Sequence, residues 1–310
     1  MSLRGTFAEV SLELAKSDPS IVVLVGDISH GLFTEFRAKF PDRYFNVGIM
    51  EPAMASIAAG LAMVGFKPIV HTIAPFLVER SFEQLKLDFG YQNLSAMFVS
   101  VGGAFDYSNL GCTHHSYLDI PMVASIEGSR VFSPVSAHEL RALMRQVMDT
   151  WGGISYFKLT ENGVMTYPSS TPLEIGEPVL VRLGIGRIAI VSLGPTLVQV
   201  QDALSRLEIS YPENGVRHVH VHSFEPINLE SCRNLLQNTD RVIVVEQLNS
   251  LQGLGSKLAI SLGLPGNARI EGIGINGFVR DYGSYQDLLT STGLSEDCLE
   301  LALLKALGQE

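Results

Sequence analysis

Apolar runs alternate with stretches of helical periodicity along most of this chain. Leu3, Phe7, Val10 and Leu14 recur at helical spacing, and Ile21 to Val25 then forms an unbroken apolar run closed by Gly26-Asp27. One apolar face predicts an amphipathic helix, whereas a continuous β-branched run predicts a strand buried on both sides. The same alternation predicts strands at 69–71, 96–101 and 154–158, and helices at 76–89 and 137–149. Buried strands alternating with helices imply a doubly wound α/β domain, a parallel sheet covered on both faces. Periodicity then lapses between Gly163 and Pro178, through Pro168-Ser-Ser-Thr-Pro172 and Gly176-Glu-Pro178, as a linker requires. Beyond it, strands at 187–193, 216–222 and 241–246 and helices at 197–207, 229–238 and 252–262 predict a second, smaller doubly wound α/β domain. The expected organisation is therefore a domain over 1–165, a linker over 166–178 and a domain over 179–310.

Composition narrows the function classes. A chain of 310 residues is long enough for two cores, and 46% hydrophobic against 17% charged residues is more apolar than its own surface needs, which points to a partner surface. The net charge of −10, without a basic run or aromatic-basic interleaving, argues against nucleic acid as a partner. Cys112, Cys232 and Cys298 are odd in number and far apart, which fits a reducing cytoplasm. No signal-like start and no apolar stretch of about 18 residues is seen, so neither secretion nor a membrane is expected.

The chemistry is concentrated in Phe45-Asn-Val-Gly-Ile-Met-Glu51-Pro-Ala-Met-Ala-Ser-Ile-Ala-Ala-Gly60-Leu-Ala. Pro52 suits a first helical turn, and Ala53, Ala55, Ala58, Ala59 and Gly60 leave a helix surface that another backbone can approach closely. Glu51 stands at the positive end of that helix, between apolar flanks Ile49 and Met50 that would desolvate it. Taken alone, the stretch allows two roles for Glu51: complementing the helix dipole, or holding a proton in a dry site.

The segments that follow are Gly65-Phe-Lys-Pro-Ile-Val70, Pro75-Phe76-Leu-Val-Glu-Arg80-Ser-Phe82-Glu-Gln84 and Gly111-Cys-Thr113-His114-His115. In this order and spacing, with the Glu51 helix, they resemble the pyrimidine-binding domain of transketolases and 1-deoxyxylulose-5-phosphate synthases, which use thiamine diphosphate. The resemblance runs from about Gly26 to Asn162 and continues more loosely to the end, so the second domain is expected to resemble a transketolase carboxy-terminal domain.

That resemblance implies the site. Glu51 would hydrogen-bond a ring nitrogen of the cofactor's aminopyrimidine, Phe76 would stack on the ring, and Ile49 would line the cofactor site. The task needs a carboxyl group held dry and able to share a proton with a weakly basic nitrogen. Phe82 is expected in the core. His114 would lie beside the reacting carbons and donate to a substrate oxyanion or move its proton, with His115, Arg80 and Lys158 contacting substrate. Leu110, Gly102 and Glu161 depart from the family's substrate-facing residues, which implies an acceptor other than the common phosphorylated aldoses.

Family members hold the cofactor diphosphate through Mg²⁺ or Ca²⁺ bound by a Gly-Asp-Gly motif and a later Asn. Gly26-Asp27-Ile28 is only half of it, so no metal ligands are expected in this chain. The implied protein is the carboxy-terminal subunit of a split enzyme, a homodimer within a heterotetramer whose amino-terminal subunit carries the metal motif. The implied reaction is transfer of a two-carbon ketol unit between sugar-type substrates. Decarboxylating condensation of the deoxyxylulose phosphate kind, a 2-oxoacid dehydrogenase β subunit and a non-catalytic subunit are the alternatives.

Two further patterns have structural readings. His218, His220 and His222 alternate on a strand, but alternate residues are about 7 Å apart, which makes joint tetrahedral ligation awkward and favours a solvated or capped face. Glu246 with Gly253 and Gly255 resembles a turn of transketolase carboxy-terminal domains that docks a helix or meets a partner.

Overall fold

The computed structural model describes residues 2–29, 31–165, 173–263 and 268–309. The chain divides into two compact units, one of Met1–Gly103 with Asp119–Ile175, the other of Ala104–Leu118 with Gly176–Glu310. Residues 166–172 of the expected linker lie outside the described residues.

In the first unit, strands β1 (Ile21–Val25), β2 (Tyr44–Asn46), β3 (Lys67–Ile73), β4 (Ala96–Val101), β5 (Arg130–Phe132) and β6 (Ile154–Lys158) lie in the order β5-β6-β4-β3-β1-β2. Every neighbouring pair among them is parallel. Helix α1 (Leu3–Ser17) begins where the Ser2 hydroxyl accepts from Gly5 N–H, and α7 (Ala137–Asp149) where Ser136 accepts from Glu139 N–H. Their apolar faces, Phe7, Val10, Leu140, Leu143 and Val147, pack with Val23, Val25, Ile69, Met97 and Val99. Arg141 of α7 bridges Glu9 and Glu13 of α1. Between these helices come α2 (Thr34–Lys39), α3 (Glu51–Met63), α4 (Ala74–Leu77), α5 (Phe82–Gln84) and α6 (Asp119–Ala124).

The helix expected at 76–89 is broken. α4 stops at Leu77, a turn follows, and α5 runs into a wide-turned segment over Leu85–Tyr91. Phe82 is half-buried, not a core residue.

In the second unit, strands β7 (Val179–Arg182), β8 (Ile188–Leu193), β9 (Arg217–Val221), β10 (Ser223–Glu225), β11 (Arg241–Asn249) and β12 (Arg269–Ile275) alternate with α8 (Thr196–Ser210), α9 (Leu229–Leu235) and α10 (Leu254–Ser261), and α11 (Tyr285–Ser291) and α12 (Glu296–Ala306) end the chain. The sheet order is β12-β11-β8-β9-β7, parallel except for the antiparallel edge strand β7. The segment 104–118 belongs here because Phe105 and Tyr117 join this unit's core and Asn249 N–H donates to Tyr117 C=O at 3.0 Å.

His218, His220 and His222 are all fully buried, so the solvated alternative for this strand face is corrected. Ser192 Oγ lies 2.8 Å from His218 Nε2 and 3.0 Å from His220 Nδ1. Burial pushes His218 down to about 3, which keeps it a neutral hydrogen-bonding group. Glu246 docks a helix, accepting from the N–H groups of Leu254 and Gly255 at the start of α10. A Cβ on Gly253 would lie 2.2 Å from that carboxylate, so only glycine lets the helix start close over it.

His71 on β3 sets a pH response. It is fully buried between Val99 C=O at 2.7 Å and Ser29 Oγ at 2.9 Å, and burial pushes its pKa down to about 4. Between pH 6.5 and 4 the unfolded chain takes up a proton here that the folded chain does not. His71 therefore costs stability as pH falls through that window, by up to about 1.4 kcal/mol per pH unit and roughly 3 kcal/mol in all. In His71→Asn, which can keep the donor to Val99, the denaturation midpoint should depend less on pH across this window, by about one proton's worth. An unchanged pH slope would contradict the buried neutral imidazole.

Candidate active site

The first sheet reverses its direction of growth at β1, with β2 on one side and β3 on the other. Open α/β sheets place ligands outside the carboxyl ends of the strands at such a point. The segments leaving β2 and β3 there carry Glu51 and Phe76.

A polar clasp fixes the first of these segments. Asn46 Oδ1 accepts from Asp27 N–H at 3.1 Å and Gly48 N–H at 3.0 Å, while its amide donates to Asp27 Oδ1 at 3.0 Å. Asp27 has φ +55° and Gly48 φ +74°, so the clasp holds two residues in the left-handed region, one after β1 and one shortly before α3. Asp27, half of a metal motif by sequence, thus has a structural task at the end of β1.

Glu51 opens α3 with Pro52 behind it and is 2% exposed. Its apolar flanks are themselves largely exposed, Ile49 at 70% and Met50 at 58%. Arg80 Nη1 donates to Glu51 Oε2 at 2.8 Å. The Arg80 guanidinium also lies over the Phe76 ring, 4.2 Å from its centroid. Phe76 follows β3 within α4, and the Ser81 hydroxyl donates to its carbonyl at 3.0 Å. Glu51, Phe76 and Arg80, expected to face cofactor or substrate, are therefore gathered in one place.

Lys158 is placed differently. Its ammonium donates to Asp119 Oδ1 at 2.7 Å, and both side chains are buried. Tyr156 OH donates to the other Asp119 oxygen, and its own oxygen lies 2.7 Å from Ser100 Oγ. Burial, then the Asp119 charge, push the Tyr156 phenol well above its usual range. The charge of Lys158 is matched inside the unit. Glu161 pairs with Arg4, whose other nitrogen donates to Ser29 Oγ at 2.9 Å.

His114 and His115 lie on the segment that belongs to the second unit. Gly111 turns this loop with φ +71°, and a Cβ there would lie 2.1 Å from the Tyr282 ring, so the glycine of the Gly-Cys-Thr-His-His sequence is required twice over. His114 is half-buried, its Nδ1 2.9 Å from Thr113 Oγ1 and its ring edge-on to Tyr107. His115 is 3% exposed, packs edge-on against Phe105, and is pushed below the usual imidazole value by burial. Among the described residues, no group of three or more His, Cys, Asp or Glu is arranged to hold a metal ion. No helix among them is long and apolar enough to cross a membrane.

Sequence reasoning missed the Asn46 clasp and Asp119. Both are single polar residues whose partners are distant in sequence, so no local pattern marks them.

A buried carboxylate at the start of an alanine-rich helix, bonded to a guanidinium that lies over an aromatic ring, stands at the switch point of a parallel α/β sheet. Residues 1–165 match the family described as "Transketolase, pyrimidine binding domain", and the chain belongs to that family. Among its relatives, it is 30% identical over 261 residues to an apulose-4-phosphate transketolase subunit of Actinobacillus succinogenes, covering 83% of this chain and 82% of that one. It is 29% identical over 294 residues to the 1-deoxy-D-xylulose-5-phosphate synthase of Azoarcus sp., which spans 94% of this chain and 46% of that longer protein. A solved structure titled "Split gene transketolase, inactive beta4 tetramer" superposes with a TM-score of 0.85 at 28% identity, covering 99% of this chain and 98% of the other.

Proposed function

We propose that this chain is the carboxy-terminal subunit of a split, thiamine-diphosphate-dependent transketolase, a transferase that moves a two-carbon ketol unit between sugar-type substrates. The observation that carries the reading is the buried Glu51 carboxylate joined to the Phe76 ring by one guanidinium, in a chain whose amino-terminal half belongs to the pyrimidine-binding family. The residues fit an aminopyrimidine. A guanidinium already lies over Phe76 and reaches the Glu51 carboxylate, so a planar ring entering there would meet an aromatic face and a carboxyl group able to share a proton with its ring nitrogen. When bound, the cofactor supplies the carbanion chemistry.

The chain's own side chains bind, orient and move protons. Glu51 would hold a proton at a pyrimidine ring nitrogen, Phe76 would fix the ring plane, and Ile49 would offer its exposed apolar side chain to the cofactor. His114 would donate to the oxygen of the reacting carbonyl, and His115 would contact substrate. We assign the diphosphate and its Mg²⁺ or Ca²⁺ to an amino-terminal partner subunit with the Gly-Asp-Gly and Asn motif, in a cytoplasmic heterotetramer built on a homodimer of this chain. Residues 1–165 would form the pyrimidine-binding domain, 166–178 the linker and 179–310 the carboxy-terminal domain.

The similarity to 1-deoxy-D-xylulose-5-phosphate synthase favours a second reading, decarboxylating condensation. Product analysis of the reconstituted pair separates the two. Ketol transfer predicts turnover with hydroxypyruvate as donor and none with pyruvate, and the reverse preference would replace the first reading with the second.

A further inference from the structure

The Arg80 guanidinium meets both groups that the proposed reading assigns to an aminopyrimidine. It is planar, its central carbon lies over the Phe76 ring 4.2 Å from the centroid, and it donates to Glu51 at 2.8 Å. Its backbone is held in place, because Arg80 N–H donates to Pro75 C=O at 3.0 Å and the following Ser81 is fully buried with its hydroxyl bonded to Phe76 C=O. Its side chain is not held in the same way. It is 45% exposed, while the Glu51 it meets is 2% exposed. A fixed backbone with a half-exposed, four-torsion side chain lets the guanidinium leave for solvent without disturbing the turn that carries Phe76.

We infer that Arg80 competes with the aminopyrimidine for Glu51 and Phe76 and is displaced when the ring enters. The inference rests on the reading of Glu51 and Phe76 as pyrimidine contacts and adds a competitor to it. The guanidinium gives Glu51 a charge partner, so the buried carboxylate is not left unpaired. Once swung out, Arg80 keeps its charge at the rim of the site, free to meet an anionic group of the substrate.

The test uses the full chain and the neutral probe 4-amino-2,5-dimethylpyrimidine, with binding followed by NMR titration. Arg80→Ala should bind the probe roughly 5- to 30-fold more tightly than the wild type, the scale of one half-exposed ion pair and one cation–π contact removed from competition. Arg80→Lys keeps the charge without the flat stacking group and should fall between them. In the Arg80→Ala background, Phe76→Ala and Glu51→Gln should each abolish the gain. Probe binding through Glu51 and Phe76 with no gain in Arg80→Ala would overturn the competitor alone. A gain that persists without Glu51 and Phe76 would overturn the pyrimidine-site reading beneath it. Failure of Arg80→Ala to bind the probe at all would also overturn the inference, since a vacated site must accept the ring.

Discussion

In the reconstituted two-subunit enzyme, Glu51→Gln is expected to keep its fold and to lose about 10²-fold or more in kcat, the scale of removing a proton-transfer partner. Glutamine matches glutamate in size and retains an oxygen acceptor, so it still fills the 2%-exposed position at the start of α3. What it cannot do is take and return a proton at a ring nitrogen. The substitution also removes the charge that meets Arg80, but that partner is half-exposed, so the stability change should stay within about 1 kcal/mol. Steady-state rates and a melting curve on the same preparation separate the two effects. Wild-type turnover would return Glu51 to the role of a helix-dipole complement.

Lys158→Met should instead act on folding. It leaves the Asp119 carboxylate buried at 0% exposure, with the Tyr156 hydroxyl and without its cation. Removing one partner of a buried pair costs about 3–5 kcal/mol, because the remaining charge has no solvent to return to. For a unit of this size that is a fall in melting temperature of roughly 6–20 °C. Replacing both partners by apolar residues, Asp119→Leu with Lys158→Met, should recover much of the loss, since it removes the stranded charge. A Lys158→Met chain that melts like the wild type but loses substrate affinity would instead support the substrate contact expected from the sequence.

The architecture was legible in its long buried runs and its capped helix, whereas β12, α11 and α12, past residue 262, were not expected. The runs at Ile21–Val25, Ala96–Val101 and Ile188–Leu193 have no polar alternation to misread, and the helix at 137–149 is bounded by its cap. The three-residue strands β2 and β5 escaped because three residues carry no period. The break after Leu77 escaped because Phe82, Leu85 and Phe89 keep a helical spacing beyond a turn stabilised by backbone contacts.

The site was legible in the same uneven way. Glu51, Phe76 and Arg80 were marked by the order of their motifs, but the pairing of Arg80 with both of the others depends on side-chain geometry that spacing does not encode. Ile49 and Met50 were expected to desolvate Glu51 and are themselves exposed, since they stand on the loop before the helix and not on its packed face. Lys158 was expected to face substrate and is bound to Asp119, a residue from a separate helix that no local pattern connects to it.

On the proposed reading this chain supplies the pyrimidine half of a cofactor site and a partner supplies the diphosphate half. Calorimetric titration of thiamine diphosphate with Mg²⁺ into the chain alone, and into the chain mixed with the amino-terminal subunit from the same organism, decides whether the site is divided in this way. Weak, magnesium-insensitive binding by the chain alone and tight, magnesium-dependent binding by the mixture are expected, because the charge-assisted contacts to the diphosphate lie on the partner. Tight, magnesium-dependent binding by the chain alone would contradict the division.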